Sequence, residues 1–420
     1  MLISSYILPR SIMGIHFEPG GGTVAIHRRT FLALTAATSI ATTHAVNADA
    51  SPVPHTPPGE PLTGPSDYAE AITEAMREIT RSSFGKTNDT SAIRGCVKAI
   101  DRLARDVPLG TEARQSLNDY ASIQTSIGTE APDVLGQFLG RNEVVLTGSQ
   151  DVSTHQGRFQ IVTLTLRYAI DGNHTWVETI PVILALQGPQ IQNIIIPSAD
   201  DVGTLPEPLR QAILAPQKDI HRGELPDPAP STAELYEMEA RTNPELNERS
   251  AGKSGRFKAA AYANKYWSHY NGAYRSFDGA GRGGDCTNFV SQCMEASGWG
   301  YTGNLAWKNT DRSWFYLKWP HYTSASWVNV GKFRSFALAN KRTRLASHYY
   351  DMWHGNVVQY GYNGAWYQSM IVTGRSGKQP LLTYQSTNTR NIPFFALQKR
   401  VNSTGKKNHL GRTIWALHLT

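Results

Sequence analysis

The stretch that decides the reading is Gly283-Gly284-Asp285-Cys286-Thr287-Asn288-Phe289-Val290-Ser291-Gln292-Cys293. Two glycines hand the chain to Asp-Cys-Thr, and Phe289, Val290, Cys293, Met294 and Ala296 then recur at helical spacing until Gly298. The pattern predicts a buried helix with Cys286 in its first turn. There the unpaired backbone N–H groups and the positive end of the helix dipole favour a thiolate. The same N–H groups can receive an oxyanion. This is how a cysteine of pKa about 8.5 becomes a nucleophile near neutral pH. The spacing alone also fits a structural cysteine. Cys293 lies about 10 Å further along the helix, too far for a disulfide, and is expected in the core. The run Gly279-x-Gly281-x-Gly283-Gly284 has no strand before it and no Lys-Ser/Thr after it, so it bends the chain rather than cradling a phosphate.

Working outward, Ala260-Ala261-Tyr262-Ala263 precedes this stretch, and three pieces follow it in order. They are Gly355-Asn-Val-Val-Gln-Tyr360, Ser369-Met-Ile-Val-Thr-Gly374 and Leu382-Thr-Tyr-Gln-Ser-Thr-Asn-Thr-Arg-Asn391. Together they resemble the "putative amidase domain" family, related to the NlpC/P60-like, papain-type cysteine hydrolases of bacterial cell walls. The resemblance runs from Ala260 to the C-terminus. It implies a papain-like α+β fold in which a cysteine-bearing helix packs on an antiparallel sheet, the three pieces being its core strands. It also implies a Cys286 nucleophile acting on cell-wall peptide or amide bonds.

Two positions depart from the family. The residue before Ser-x-Ile-Val-Thr, a catalytic histidine in the family, is Gln368. The position before Ser386-Thr387, commonly another histidine there, is Gln385. A glutamine amide is neutral and cannot take the proton of a thiol, and lost general-base help costs about 10²–10⁴ in rate. One expectation is therefore an amidase with a substitute base, His354 being the nearest candidate and His348 behind it. The alternative is an inactive domain of the same fold that holds wall peptide, glycan or an anionic wall polymer, its glutamines orienting an amide by two-way hydrogen bonding.

Charge sharpens the choice. The 420 residues carry a net charge of +7, but residues 251–420 hold 22 Lys+Arg against the five acids Asp278, Asp285, Glu295, Asp311 and Asp351, which is +17. Five scattered acids leave little for the paired-carboxylate chemistry of glycoside hydrolysis. A basic, Trp-rich segment suits polyanions or stacking on sugars. Trp307, Trp314, Trp319 and Trp327 read either as a carbohydrate platform or, more simply, as core filling. No RNP, zinc-finger or helix-turn-helix pattern points to nucleic acid. No metal-ligand spacing occurs among the histidines, and no cofactor is expected. Three cysteines exclude a disulfide-stapled scaffold, and no apolar run after residue 50 is long enough to span a bilayer.

The N-terminal part reads as follows. His27-Arg28-Arg29-Thr30-Phe31-Leu32, a modest apolar run, and Ala48 or Ala50 at a cleavage position have the layout of a twin-arginine export signal. Residues 1–48 are expected to be this leader, with residues 1–23 upstream of its natural start, so the protein is expected to be secreted by a bacterium. Residues 49–65 read as a linker. Residues 66–196 predict a smaller α+β domain, with helices over Ala69–Arg81 and Ile93–Arg105 and then strands over Glu143–Thr147, Phe159–Ile170, Thr175–Leu186 and Ile191–Ile196. Asp171-Gly172 marks a hairpin turn. Residues 197–255 are a Pro-rich linker with a polar helix over Glu234–Arg249, and residues 256–420 are the amidase-type domain.

Overall fold

The computed structural model describes residues 65–85, 89–135, 142–197, 202, 205–214, 230–242, 251–278, 285–319, 322–362, 365–403 and 415–419. The leader and the residue 49–64 linker lie outside the described residues.

Three helices open the described chain: α1 (Pro65–Ser83), α2 (Asp89–Asp106) and α3 (Thr111–Leu135). Four strands follow, β1 (Asn142–Thr154), β2 (Gly157–Ala169), β3 (Thr175–Gln187) and β4 (Gln190–Ile195). The first two helices and all four strands sit where apolar periodicity puts them, with ends shifted by a few residues and β1 running on to Thr154. The turn between β2 and β3 is held by Asp171, whose Oδ1 accepts the N–H groups of Asn173 and His174, both at 2.8 Å. The helix α3 was not expected from the periodicity.

Helices α4 (Glu207–Leu214), α5 (Thr232–Thr242) and α6 (Ala251–Tyr266) lead to α7 (Cys286–Ala296). The polar helix expected over Glu234–Arg249 is described only to Thr242. A short hairpin, β5 (Tyr316–Leu317) and β6 (Tyr322–Thr323), precedes α8 (Ala325–Val328), α9 (Val330–Ala339) and β7 (Thr343–Leu345). The chain then runs through β8 (Val357–Tyr362), β9 (Ala365–Ser376), β10 (Gln379–Tyr384), β11 (Thr389–Pro393), α10 (Phe394–Ser403) and β12 (Trp415–Leu419). The stretch expected as one strand over Leu382–Asn391 is two, because Ser386 (φ 87°) and Asn388 (φ 20°) turn the chain between β10 and β11.

The fold is α+β. One antiparallel sheet runs in the order β1-β2-β3-β11-β10-β9-β8-β12-β7, with β4 beside β3. Strands from both parts of the chain thus share a sheet, joined where β3 meets β11 at Thr389↔Glu178 and Arg390↔Val177.

Two cores lie against the sheet. One joins α1, α2 and α3 to inward residues of β2, β3, β8, β9 and β10, including Val358, Tyr360, Met370 and Val372. The other gathers Phe289, Val290, Cys293, Met294, Trp314, Trp327 and Phe333 with Val357 and Ile371. Adjacent residues of β8 and β9 therefore serve opposite cores, as strand alternation requires. No helix among the described residues is long and apolar enough to cross a membrane.

Candidate functional site

The polar residues after Cys286 are almost all spent on holding α7. Asp285 precedes the helix fully buried, and its carboxylate accepts Phe277 N–H at 2.7 Å and Asn288 Nδ2 at 3.0 Å to each oxygen. Asn288 also donates to Arg275 O at 3.1 Å and accepts from Trp327 Nε1 at 2.7 Å. Ser291 Oγ donates to Trp327 O at 2.8 Å and accepts from Trp314 Nε1 at 3.1 Å, while Gln292 Oε1 takes the Tyr262 hydroxyl at 2.7 Å. Thr287 Oγ1 lies 3.1 Å from Ser369 Oγ, which accepts Gln359 Nε2 at 3.0 Å. The buried side chains of Asp285, Thr287, Asn288, Ser291 and Gln292 thereby each have a partner, as such burial demands.

Cys286 itself is buried, at 3% exposure. Its Sγ lies 3.7 Å from Thr287 Oγ1 and 4.0 Å from Tyr367 O. Burial pushes the thiol up to about 11, against the pull of the Ser369 backbone N–H and Thr287, with the charges of Asp285 and Asp278 adding to the rise. Desolvation thus outweighs the help of the helix start, and the group is a thiol at neutral pH.

Beside it stands a second carboxylate that the sequence reading did not single out. Asp278 Oδ1 accepts the backbone N–H of Asp285 at 2.8 Å, and its other oxygen takes the Tyr270 hydroxyl. Ser386 Oγ accepts the same Asp285 N–H at 2.9 Å and lies 3.4 Å from Asp278 Oδ1. Burial pushes Asp278 up to about 6, against the hydrogen bonds from Asp285 N–H and Ser386. Asp285 is also raised, by burial first and then by the charge of Asp278. The available signal was compositional: two of the five acids in the basic segment, Asp278 and Asp285, fall within the eight residues before Cys286.

The four residues singled out from sequence do not all converge. Gln385 lies on the α7 side of the sheet, where its Nε2 donates to Tyr266 O at 2.6 Å. Its buried Oε1 has no partner among the described residues. Its neighbour Ser386 reaches the start of α7, as above. The Cys286 thiol meets the backbone of Tyr367 and Ser369, the residues on either side of Gln368. Gln368 pairs with Tyr360 while Trp366 pairs with Gly361, so Tyr367 is an extra residue, a β-bulge, on β9. Ser369 faces α7, and alternation then sets Gln368 with Tyr360 and Met370, on the opposite face of the sheet.

His354 is buried with its ring 5.6 Å from that of Phe257. The next residue, Gly355, donates to Val372 O at 2.8 Å. Val372 is three residues along β9 from Ser369, about 10 Å of strand. His348 caps the short turn Tyr349–Asp351. The hydrogen-bond partners of the Cys286 thiol are Thr287 and the Tyr367 carbonyl, not His354 or His348. Nor do three or more His, Cys, Asp or Glu among the described residues gather in a way that could hold a metal ion.

Comparison with known proteins adds the following. The chain is 32% identical over 154 residues to "Uncharacterized protein YjcM" of Bacillus subtilis (strain 168), covering 34% of this chain and 33% of that protein. It is 27% identical over 142 residues to "Uncharacterized protein YhbB" of the same organism, covering 32% of this chain and 42% of that one. The chain thus spans well under half the length of these curated relatives. No solved structure matches. Residues 253–407, which carry α7 and strands β5 to β11, match the family model described as "Putative amidase domain".

Proposed function

We propose that residues 253–407 keep the frame of a papain-type amidase but not its turnover, and serve as the wall-binding part of an exported protein. The observation that carries this is the state of Cys286. Its thiol is pushed up to about 11, and the Gln368 side chain belongs to the other face of the sheet. An amide hydrolase needs a thiolate and a proton for the leaving amine, and neither the Cys286 thiol nor the Gln368 amide provides them. Gln385, whose buried Oε1 has no partner among the described residues, keeps an acceptor suited to orienting an amide. The ligand class, cell-wall peptide or glycan, rests on the family resemblance together with the twin-arginine pattern at Arg28-Arg29 and the +17 charge of residues 251–420.

The test is binding of the mature protein to purified cell wall at low and high salt, with amide release followed in parallel. Salt-resistant binding without release supports the reading. Release that disappears in Cys286→Ala would instead establish a cysteine amidase. Binding that fades steeply with salt would reduce the interaction to polyanion attraction.

A further inference from the structure

The hairpin β5–β6 and the turn before it present an apolar, basic face to solvent. Twelve large hydrophobic residues are exposed among the described residues, and six of them fall within residues 301–322. Trp319 is 87% exposed, and Leu305, Trp307, Leu317 and Tyr322 each between 36% and 49%. The other two tryptophans of this region, Trp314 and Trp327, are fully buried, so only part of the cluster fills core.

The face is rigidly mounted. Leu317 and Tyr322 are cross-strand partners, and Phe315 and Tyr316 beneath them are buried. The Leu305–Trp307 turn is capped by Asn304, whose Oδ1 accepts Ala306 N–H at 3.0 Å. It is tied to the hairpin side by Lys308, whose carbonyl accepts Ala325 N–H at 2.5 Å and whose Nζ stands 5.2 Å from the Tyr322 ring centroid. Arg312 and Lys318 are exposed around this face, with Asp311 the only acid in the segment.

From this arrangement we infer that the hairpin face is a docking site for an anionic lipid surface. The chemistry distinguishes it from a sugar platform. A sugar ring stacks on a flat aromatic face and has no use for exposed leucines beside it. The boundary layer of a bilayer takes indoles, a phenol and leucines together, while lysines extend to the lipid phosphates. Charge complementarity selects acidic lipid, each basic residue near such a surface being worth roughly fivefold in binding. The inference is independent of how Cys286 is read.

The experiment is co-sedimentation of the full chain with phosphatidylcholine vesicles, with and without phosphatidylglycerol, together with Trp319→Ala and Lys308→Ala/Lys318→Ala variants. Near-ultraviolet circular dichroism verifies that each variant is folded, which the exposure of Trp319 favours. The expected result is binding only to vesicles containing phosphatidylglycerol, weakened about tenfold by Trp319→Ala and weakened by the lysine variant most strongly at low salt. Absence of binding, or equal binding to both vesicle types, overturns the proposal. So does a Trp319→Ala protein that binds as the parent does, since that reduces the interaction to diffuse charge.

Discussion

Arg400 and Glu178, 222 residues apart in the chain, form a two-pronged ion pair: Nη2 of Arg400 donates to Oε1 of Glu178 at 2.7 Å, and Nη1 to Oε2. The guanidinium also lies over Trp176, 4.9 Å from the ring centroid. Glu178 is the residue that pairs with Thr389 where β3 meets β11, so the pair sits on the seam of the sheet. Thr179 N–H to Asn388 O at 3.2 Å and Asn391 Nδ2 to Thr175 O at 3.3 Å reinforce the same seam.

Removing one partner leaves a buried charge without compensation. Arg400→Ala is expected to cost about 3–5 kcal/mol in urea unfolding. The double change Arg400→Met with Glu178→Leu is expected to cost far less, because it buries no unpaired charge. Equal losses in the two proteins would show that the pair is not what holds the seam.

Alkylation of Cys286 tests the state of the thiol directly. With the thiol pushed up to about 11, the thiolate fraction at pH 7 is very small and grows about tenfold per pH unit. Iodoacetamide labelling followed by mass spectrometry is therefore expected to be negligible at pH 7 and to climb steadily toward pH 10. Cys293, fully buried within the second core, is the internal control. Fast labelling that persists below pH 7 would contradict the idle-thiol reading and reopen the search for a base.

Asp278 makes stability depend on pH in a defined direction. Its folded value of about 6 lies above the ordinary carboxylate value, so the native state holds the proton more tightly than the unfolded chain does. The stabilisation is fully present below pH about 4 and is lost as pH rises to about 6. Asp285 is raised too, so it acts in the same sense. Unfolding free energy in Asp278→Asn is expected to vary less across that window, by about 1–3 kcal/mol. An unchanged slope would remove Asp278 as its source.

Gly355 stands at a close backbone approach as well as at positive φ. At φ 76°, an added Cβ would lie 2.3 Å from Arg256 O and 2.6 Å from its Cα. Backbone cannot retreat as a flexible side chain can, so Gly355→Ala is expected to lower stability by more than about 2 kcal/mol. Thermal unfolding measures it. Gly172, with nothing near its Cβ position, is the control and is expected to tolerate alanine.

Local pattern made much of the framework legible. The helix α7 follows from glycines giving way to Asp-Cys and then to apolar residues at helical spacing, and β1 to β4 follow from alternation. The helix α3 was hidden because its packing uses residues that read as poor helix formers. Gly128 crosses Ser83 so closely that a Cβ would meet its carbonyl oxygen at 1.9 Å, and Pro132 lies inside the helix. Gln124 and Thr125, polar by type, are buried on it. On α2, Ile93 and Val97 keep helical spacing with Ile100 but are about half exposed.

Sequence alone determined the α+β class, the helix that begins at Cys286, and the glutamines at positions 368 and 385, because these depend on residue identity and short spacings. Tertiary structure decided the rest. Whether a cysteine at a helix start ionises depends on how deeply the sheet and neighbouring helices bury it. Which face Gln368 occupies depends on one bulged residue, Tyr367. Which tryptophans fill core and which meet solvent depends on where a two-residue hairpin comes to rest. The union of β3 with β11 depends on groups more than 200 residues apart, a separation at which no local periodicity carries information.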